Sequence, residues 1–285
     1  MKKLYVAIAL LFLLNISSPA QQVKEPKAFS EEWSKPYPPF RIVGNLYYVG
    51  TYDLACYLIT TQQGHILINT GLANSESQIE SNVKKLGFRF SDIKILLTTQ
   101  AHFDHVGAMA SIKKKTQAKM MVDEKDASTL KDGGRSDYFF GGDASAFEPI
   151  EPDRLLKDRE IISLGDMQLT LLHHPGHTKG SCSFLFIVKD DQKSYQVLIV
   201  NMPSIIVDGK LSEVTKYPEM SSDYAYTLKA MKGISFDVWL ASHTSQFNMH
   251  LKHKSGDGYN PKVFIDRKGY DQALAELQKD YHSKK

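Results

Sequence analysis

The sequence contains few cysteines and tryptophans, and its net charge is small. The 285 residues include two cysteines and two tryptophans, and the formal net charge is only +3. Cys56 and Cys182 both lie in apolar, strand-like text, so we interpret them as buried thiols, with a disulfide between them as the alternative. The near balance of charge argues against a nucleic-acid partner. The apolar share of 42% is instead typical of a globular protein with a large core.

Long hydrophobic runs are also absent after the first few residues. Leu4 to Leu14 is an apolar run behind a short basic start, and Ser18-Pro19-Ala20 places small residues before Gln21. This pattern predicts a secretory signal peptide over residues 1–20, cleaved before residue 21. A membrane anchor is the weaker alternative, because a span needs roughly 20 apolar residues. The predicted mature chain, residues 21–285, loses two lysines and has a net charge of +1.

Strand-like and helix-like segments alternate in two successive halves of the chain. Residues up to about Phe40 are predicted to form an extended lead-in, and β-branched, aromatic text then predicts strands from Ile42 to Thr70. The spacing of Ile79, Val83 and Leu86 predicts a helix that ends at Gly87. "DIKILLTT" predicts a buried strand that ends where a histidine-rich motif begins.

The second half repeats this order. "MQLTLLHHPG", "CSFLFIV", "YQVLIVNMP" and "FDVWLASH" predict strands. One helix is predicted to end at Gly233, and a last helix carries Tyr270, Leu274, Leu277 and Tyr281 on one stripe. Two halves of this kind predict an α/β protein with two packed sheets and helices outside.

The motif "TTQAHFDHVGA" carries the chemistry. His102, Asp104 and His105 follow a buried strand at its C-terminal end, where α/β proteins usually place their ligands. Imidazole nitrogens and a carboxylate together are typical zinc ligands. His177 in "HHPGHTKGS" and His243 in "ASH" follow other predicted strands, so the combination predicts a metal site.

The remaining histidines are predicted to have other roles. His173 and His174 sit at a strand end, so we interpret them as packed or supporting residues. The four others lack nearby partners in the sequence and are predicted to lie on the surface: His65, His250, His253 and His282.

The sequence resembles the metallo-β-lactamase superfamily and, within it, the subclass B3 enzymes of the GOB-type branch. The resemblance runs through "NLYYVGTYDLACYLI", "ILINTG", "ILLTTQAHFDHVGA", "GGRSDY", "LLHHPGHTKGSCSF", "NMPS" and "SDYAYT…FDVWLASHTSQF". It implies one αβ/βα four-layer sandwich over residues 21–285, with a two-metal site at one edge between the sheets.

The resemblance also implies a role for each motif residue. The first zinc site would comprise Gln100, His102 and His177, and the second Asp104, His105 and His243. Asp104 would also act in catalysis. Ser204 would receive the substrate carboxylate, although a plain turn residue at a strand end is the alternative reading.

Two positions depart from the pattern common in the superfamily, and a third segment, Asn201-Met202, fits subclass B3. Gln100 replaces the first histidine, and an amide oxygen is a weaker donor to zinc than an imidazole nitrogen. Asn69 replaces an aspartate, so a carboxylate that orients a ligand is absent or comes from elsewhere. Asn201-Met202 stands where many related hydrolases carry an aspartate that bridges both metals.

The implied activity is hydrolysis of the β-lactam amide bond of penicillins, cephalosporins and carbapenems, which gives antibiotic resistance. The expected cofactor is Zn²⁺ at two sites, the first weakened by Gln100. The expected partner is a small β-lactam substrate, without nucleic acid or membrane after signal cleavage, and we expect a periplasmic monomer. The alternatives are another hydrolase of the same fold, such as a lactonase or a glyoxalase II-like thioesterase, and a non-catalytic zinc-binding protein.

Overall fold

Two β-sheets and their covering helices make up the fold in a computed structural model, which describes residues 23–191 and 193–285. The predicted signal peptide, residues 1–20, lies outside the described residues. The first sheet has seven strands in chain order: β1 (Phe40–Val43), β2 (Leu46–Tyr48), β3 (Tyr57–Thr61), β4 (Gly64–Ile68), β5 (Ile93–Leu97), β6 (Lys119–Asp123) and β7 (Arg154–Leu156). The second has five, in the order β12-β11-β10-β9-β8: β8 (Ile161–Leu164), β9 (Met167–His173), β10 (Cys182–Asp190), β11 (Lys193–Val200) and β12 (Val238–Ala241).

Helices cover the outer faces of both sheets. They are α1 (Glu76–Lys85), α2 (Phe103–Val106), α3 (Met109–Thr116), α4 (Ala127–Lys131), α5 (Met220–Lys232), α6 (Met249–Lys252) and α7 (Arg267–Lys284). The predicted helix ends are confirmed: α1 is followed by Gly87 with φ of 86°, and Gly233 follows α5 directly. The helix predicted from the Tyr270 stripe is α7.

Alternation along the strands divides the interior into two cores. In β4, Ile66 and Ile68 belong to the core between the sheets, whereas Leu67 belongs to the core shared with α1 and α3. Successive side chains of a strand point to opposite faces, so a sheet buried on both faces reads as an unbroken apolar run. This arrangement confirms the four-layer αβ/βα sandwich.

The loops after several strands meet at one edge of the sandwich. The backbone N–H of Cys182 donates to the carbonyl of Thr99 at 2.8 Å, and the N–H of Ala55 donates to the carbonyl of Ser242 at 3.1 Å. Leu54 also pairs with His243 as an isolated bridge. These contacts join the two sheets, so the residues that follow β5, β9 and β12 are held in one place.

The structure also decides several smaller expectations. Cys56 and Cys182 are free and buried, so the thiol reading is confirmed. The surface placement is confirmed for His282 but wrong for His65 and His253, which are buried; the His253 ring stacks on that of Phe40 with centroids 3.7 Å apart. Within the described part of the chain, no helix is both long enough and apolar enough to span a bilayer.

Candidate metal centre

The histidine motif forms the tight turn between β5 and α2. His102 caps this one-turn helix, and the N–H of His105 donates to the carbonyl of His102 at 3.0 Å. Gln100, His102, Asp104 and His105 are all buried. Burying so many polar side chains in an apolar setting costs free energy unless they are paired or bind a cation. The turn is therefore built for a site rather than for packing.

Asp104, His105 and His243 form a compact cluster. Asp104 Oδ2 lies 3.2 Å from His105 Nε2 and 3.4 Å from His243 Nε2, and one ligand atom from each residue falls within 4.8 Å of the others. This anionic oxygen and two imidazoles fit a divalent ion such as zinc.

The protonation states of this cluster reflect the carboxylates beside it. Burial alone lowers the pKa of His243, but hydrogen bonds to Asp104 and Asp53 outweigh it and raise the pKa to about 9. Burial raises the pKa of Asp104, and the neighbouring His105 and His243 outweigh burial and hold the pKa well below its usual value. Asp104 Oδ2 and His243 Nε2 face each other at 3.4 Å, and these are the atoms that would hold a metal ion.

His102 and His177 form a second group beside the first, with ring centroids 4.8 Å apart. His177 Nδ1 donates to the carbonyl of Ser204 at 2.6 Å. This leaves Nε2 unprotonated, with a lone pair that can bind a metal ion. Burial, together with the nearby His102, lowers the pKa of His177 to about 3, so its ring is neutral. His102 Nε2 lies 3.1 Å from Asp137 Oδ2, which leaves Nδ1 of His102 free to bind a metal ion.

Gln100 completes the fit to a metal. Its side chain is 3% exposed, and its Oε1 atom is buried without a hydrogen-bond partner within the residues that the structure describes. An unpaired buried acceptor is costly, and a cation is one way to satisfy it. The residues present therefore fit zinc.

Two buried carboxylates contact ring nitrogens of His243 and His102 that do not face the metal position. Asp53 Oδ2 lies 3.0 Å from His243 Nδ1, and Asp137 holds His102. Asp137 is itself fixed, because its Oδ1 accepts the N–H groups of Phe139 and Phe140 at 2.8 and 2.7 Å. Hydrogen bonds of this kind set the tautomer and direction of a metal-binding imidazole.

A third buried carboxylate, Asp126, ties two of the ligand-bearing loops together. Its Oδ2 accepts the N–H of Ala101 at 2.9 Å and the hydroxyl of Thr178 at 2.7 Å, and its Oδ1 accepts the N–H of Gly180 at 2.7 Å. Ala101 lies beside His102 and Thr178 beside His177, so the spacing of this pair depends on Asp126.

The two asparagines noted in the sequence serve the framework. Asn69 has a positive φ of 61°, and its Oδ1 accepts the N–H of Thr99 at 2.9 Å at the head of the motif. The carboxylates that orient ligand histidines in this structure are Asp53 and Asp137, at other positions of the chain. Asn201 is buried, with its Oδ1 lying 3.4 Å from the hydroxyl of Ser242, and it does not line the metal cavity.

A cavity of about 270 Å³ opens over these groups. Twelve residues line it: Phe29, Trp33, Asp53, His102, Asp104, Phe140, His177, Ser204, Ile206, His243, Ser245 and Gln246. Four of the six predicted metal ligands and Ser204 are in this lining. Gln100 and His105 are not in this lining, and neither are His173 and His174. His173 instead pairs with Asp123 and His174 with Ser183, each at 2.7 Å.

The lead-in before Phe40 is more than an extended segment, and that prediction was wrong. Trp33 lies in a short 3-10 helix, Glu31–Trp33, and is 8% exposed. Its Nε1 donates to Asp53 at 3.2 Å, and its ring centroid lies 5.5 Å from that of His243. Phe29 packs against Trp33 and Phe140 and extends this aromatic wall. Only the rarity of tryptophan in the sequence marked this position.

Comparison with known proteins agrees with this geometry. The chain belongs to the metallo-β-lactamase superfamily, whose sequence model matches residues 51–190. Within it, the chain is 66% identical to the class B3 di-zinc metallo-β-lactamase LRA-12 from an Alaskan soil metagenome, covering 92% of this chain and 99% of that one with a TM-score of 0.91. It is 57% identical to the metallo-β-lactamase GOB-18 from Elizabethkingia meningoseptica, covering 93% and 98% with a TM-score of 0.92.

A more distant relative has a different described activity. The acyl-coenzyme A thioesterase MBLAC2 of Gallus gallus is 26% identical over 195 residues. This match spans 61% of the present chain and 65% of the chicken protein, which is less than two thirds of its length.

Proposed function

We propose that the protein is a zinc-dependent β-lactamase that hydrolyses penicillins, cephalosporins and carbapenems and so gives antibiotic resistance. One observation carries the proposal: Asp104, His105 and His243 cluster in one cavity beside His102 and His177, in a chain 66% identical to a di-zinc class B3 enzyme. Water adds across the strained C–N bond, giving a carboxylate and an amine.

Two ions would be held by two sets of residues. Gln100, His102 and His177 form the first set, and Asp104, His105 and His243 form the second. Zinc in these positions supplies Lewis acidity, which makes water ionise near neutral pH and favours negative charge at the reacting carbonyl oxygen and departing nitrogen.

The chain's own residues orient the reactants. Asp104 holds an ionised carboxylate inside the cavity, where it orients the attacking water and takes up a proton for the departing nitrogen. Ser204 presents its hydroxyl to the substrate carboxylate, since its backbone is fixed by hydrogen bonds from His177 and from Tyr224 at 2.9 Å. Trp33 and Phe140 exclude water from one side of the cavity.

The two sites differ in donor quality. The second set contributes one anionic oxygen and two imidazoles, whereas the first contributes two imidazoles and a neutral amide. A carboxylate offsets part of the metal's charge and an amide does not, so zinc binds the Asp104 site more tightly. At limiting zinc, the enzyme carries one ion there and already turns over.

The rival proposal is hydrolysis of a thioester or lactone on the same fold, which the activity of the chicken relative raises. Asn201 and Met202 disfavour it, because neither supplies the bridging carboxylate described for such hydrolases and both side chains are buried. A purely metal-binding role is disfavoured by the open cavity over the donor groups.

A substrate panel separates these proposals. Zinc-loaded protein is assayed with nitrocefin, imipenem, a homoserine lactone, S-lactoylglutathione and an acyl-coenzyme A. We expect turnover of the two β-lactams, and little of the others. Efficient hydrolysis of a thioester or lactone without β-lactam turnover would establish the rival. Tight zinc binding without any turnover would establish the metal-binding role.

We further propose that the protein acts in the periplasm, after cleavage of residues 1–20. The proposal rests on the basic start, apolar run and small-residue cleavage pattern of the N-terminal sequence.

A further inference from the structure

We propose that a second cavity beside the metal cavity binds the C-3 substituent of cephalosporins and favours a cationic one. This inference rests on the proposed β-lactamase function. The cavity, called here the α7 subsite, has a volume of about 530 Å³. It is lined by Met202, Ser204, Ser245, Gln246, Asn248, Gly269, Gln272, Ala273, Glu276, Leu277 and Asp280.

The size of the metal cavity requires an extension. Sites that enclose drug-sized ligands measure about 300–1,000 Å³. The metal cavity, at about 270 Å³, falls just below this range. A cavity of this size leaves little room beyond the reacting bicyclic nucleus, so we place at least one of the two substituents of a cephalosporin outside it.

Three residues line both cavities and form a rim between them: Ser204, Ser245 and Gln246. The rim is low, because Ser245 is exposed and the other two are half-exposed. Gln246 is fixed to the metal centre, since its Oε1 accepts the N–H of His243 at 3.3 Å. A ligand that contacts the rim therefore reaches from the metal centre into the α7 subsite.

The chemistry of cephalosporins places a substituent at this rim. The carbon that bears the C-3 substituent is bonded to the carbon that bears the carboxylate. If Ser204 receives that carboxylate, the C-3 substituent lies at the boundary of the two cavities. Ser204 lines both cavities, whereas His177 lines only the metal cavity, so the α7 subsite is the neighbouring space that a group beside Ser204 can enter.

Helix α7 holds the wall of the subsite against the Ser204 segment. Lys284 Nζ donates to the carbonyls of Ile205 and Val207 at 3.3 and 2.7 Å. Ala273 and Leu277 are partly exposed and contribute apolar surface on which a ring can pack, and the buried Met202 completes this part of the lining. The subsite is thus a defined cavity with walls from two segments.

The charged residues that line the subsite, Glu276 and Asp280, are both acidic. Asp280 lies 3.7 Å from Lys284, which offsets its charge, whereas Glu276 forms no ion pair within the described part of the chain. Glu276 is one helical turn from both Gln272 and Asp280, on the face of α7 that lines the cavity. A cationic group in the subsite is attracted to Glu276, and an anionic group is repelled.

Cephalothin and cephaloridine test the proposal as a matched pair. They share one acylamino side chain, and the C-3 substituent is neutral acetoxymethyl in the first and cationic pyridiniomethyl in the second. We expect Glu276→Gln to raise KM for cephaloridine by about two- to fivefold, the size typical of one exposed charge pair. KM for cephalothin and kcat for both substrates should stay unchanged. Salt at about 0.5 M ionic strength screens the charge pair, so NaCl at this concentration should reduce the difference in cephaloridine KM between wild type and Glu276→Gln.

Asp271→Asn is the control, because it removes the same charge from α7 at a position paired with Arg267 and outside the subsite. It should leave both KM values unchanged. An equal KM ratio in wild type and Glu276→Gln, with β-lactam turnover intact, would overturn the subsite alone. The absence of β-lactam turnover in the zinc-loaded wild type would overturn the proposed function and the subsite with it.

Discussion

Asp53 Oδ2 lies 3.0 Å from Nδ1 of His243, although the two residues are 190 positions apart in the chain. The other oxygen of Asp53 accepts the N–H of Ser245 at 2.9 Å, and Trp33 donates to Oδ2 at 3.2 Å. These two contacts fix the carboxylate independently of its hydrogen bond to the imidazole. This contact joins the first sheet to the loop after β12 and directs Nε2 of His243 toward Asp104.

Asp53→Asn should weaken the metal centre without unfolding the protein. An amide can present its NH2 group to Nδ1 and favour the wrong tautomer, and losing such a partner typically costs about 10- to 100-fold in metal affinity or activity. Zinc Kd and nitrocefin kcat/KM measure the effect. The control is Asp190→Asn, which breaks the distant Arg41 ion pair. If both variants resemble wild type, Asp53 has no orienting role.

Asp126→Ala should destabilise the fold as well as the site. The change leaves the buried N–H groups of Ala101 and Gly180 without their acceptor, so the free energy of unfolding should fall by about 3 kcal/mol. Denaturant unfolding of the zinc-free protein measures this directly. Glu124→Ala, at an exposed neighbouring position, should change it by less than about 0.5 kcal/mol. A similarly small change for Asp126→Ala would contradict the tie between the two loops.

Gln100→His should shift the protein toward two bound ions. Imidazole is a better zinc ligand than a neutral amide, so the variant strengthens the first site alone. Titration of apo-protein with cobalt, a spectroscopic substitute for zinc, follows each site. In the wild type the first equivalent should enter the Asp104 site and give activity.

The control for this titration is Gln62→His, which adds an imidazole at an exposed position away from the metal cavity. It should titrate like the wild type. Equal distribution of the first equivalent, or activity only after the second, would show that Gln100 does not make the sites unequal.

The mature protein should begin near Gln21. N-terminal sequencing of protein from a periplasmic extract tests the cleavage pattern of Ser18-Pro19-Ala20. Recovery of the uncleaved chain from the membrane fraction would refute the proposed localisation. Ala20→Arg should block cleavage after residue 20. The control is Lys24→Arg, which keeps the charge at a position beyond the cleavage site and should leave cleavage intact.

The layers of the fold could be predicted from the sequence because they depend on local apolar patterns. β5 and β12 are short apolar runs, and α1 is marked by its stripe and by Gly87. The strands β6 to β8 were not predicted, because each offers only two or three consecutive apolar residues next to a charged one, such as Lys119, Arg154 or Glu160. Their pairing depends on neighbours that are distant in the chain.

The histidines of the centre could be predicted, but the groups that hold them could not. His102, Asp104 and His105 are adjacent in sequence, whereas Asp53, Asp126 and Asp137 support them from loops with no motif of their own. A carboxylate on a loop is usually solvated, and only the fold buries these three. Trp33 was missed for the same reason, because its segment resembles a plain linker.

Zinc titration of the apo-protein, with imipenem turnover and bound metal counted in the same sample, tests the central claim most directly. We expect no turnover in the zinc-free protein, turnover that rises with the first equivalent of zinc, and its loss on chelation. His243→Ala should bind less zinc and lose nearly all turnover. Imipenem hydrolysis that persists without metal, or its absence in protein with zinc in both sites, would contradict the account.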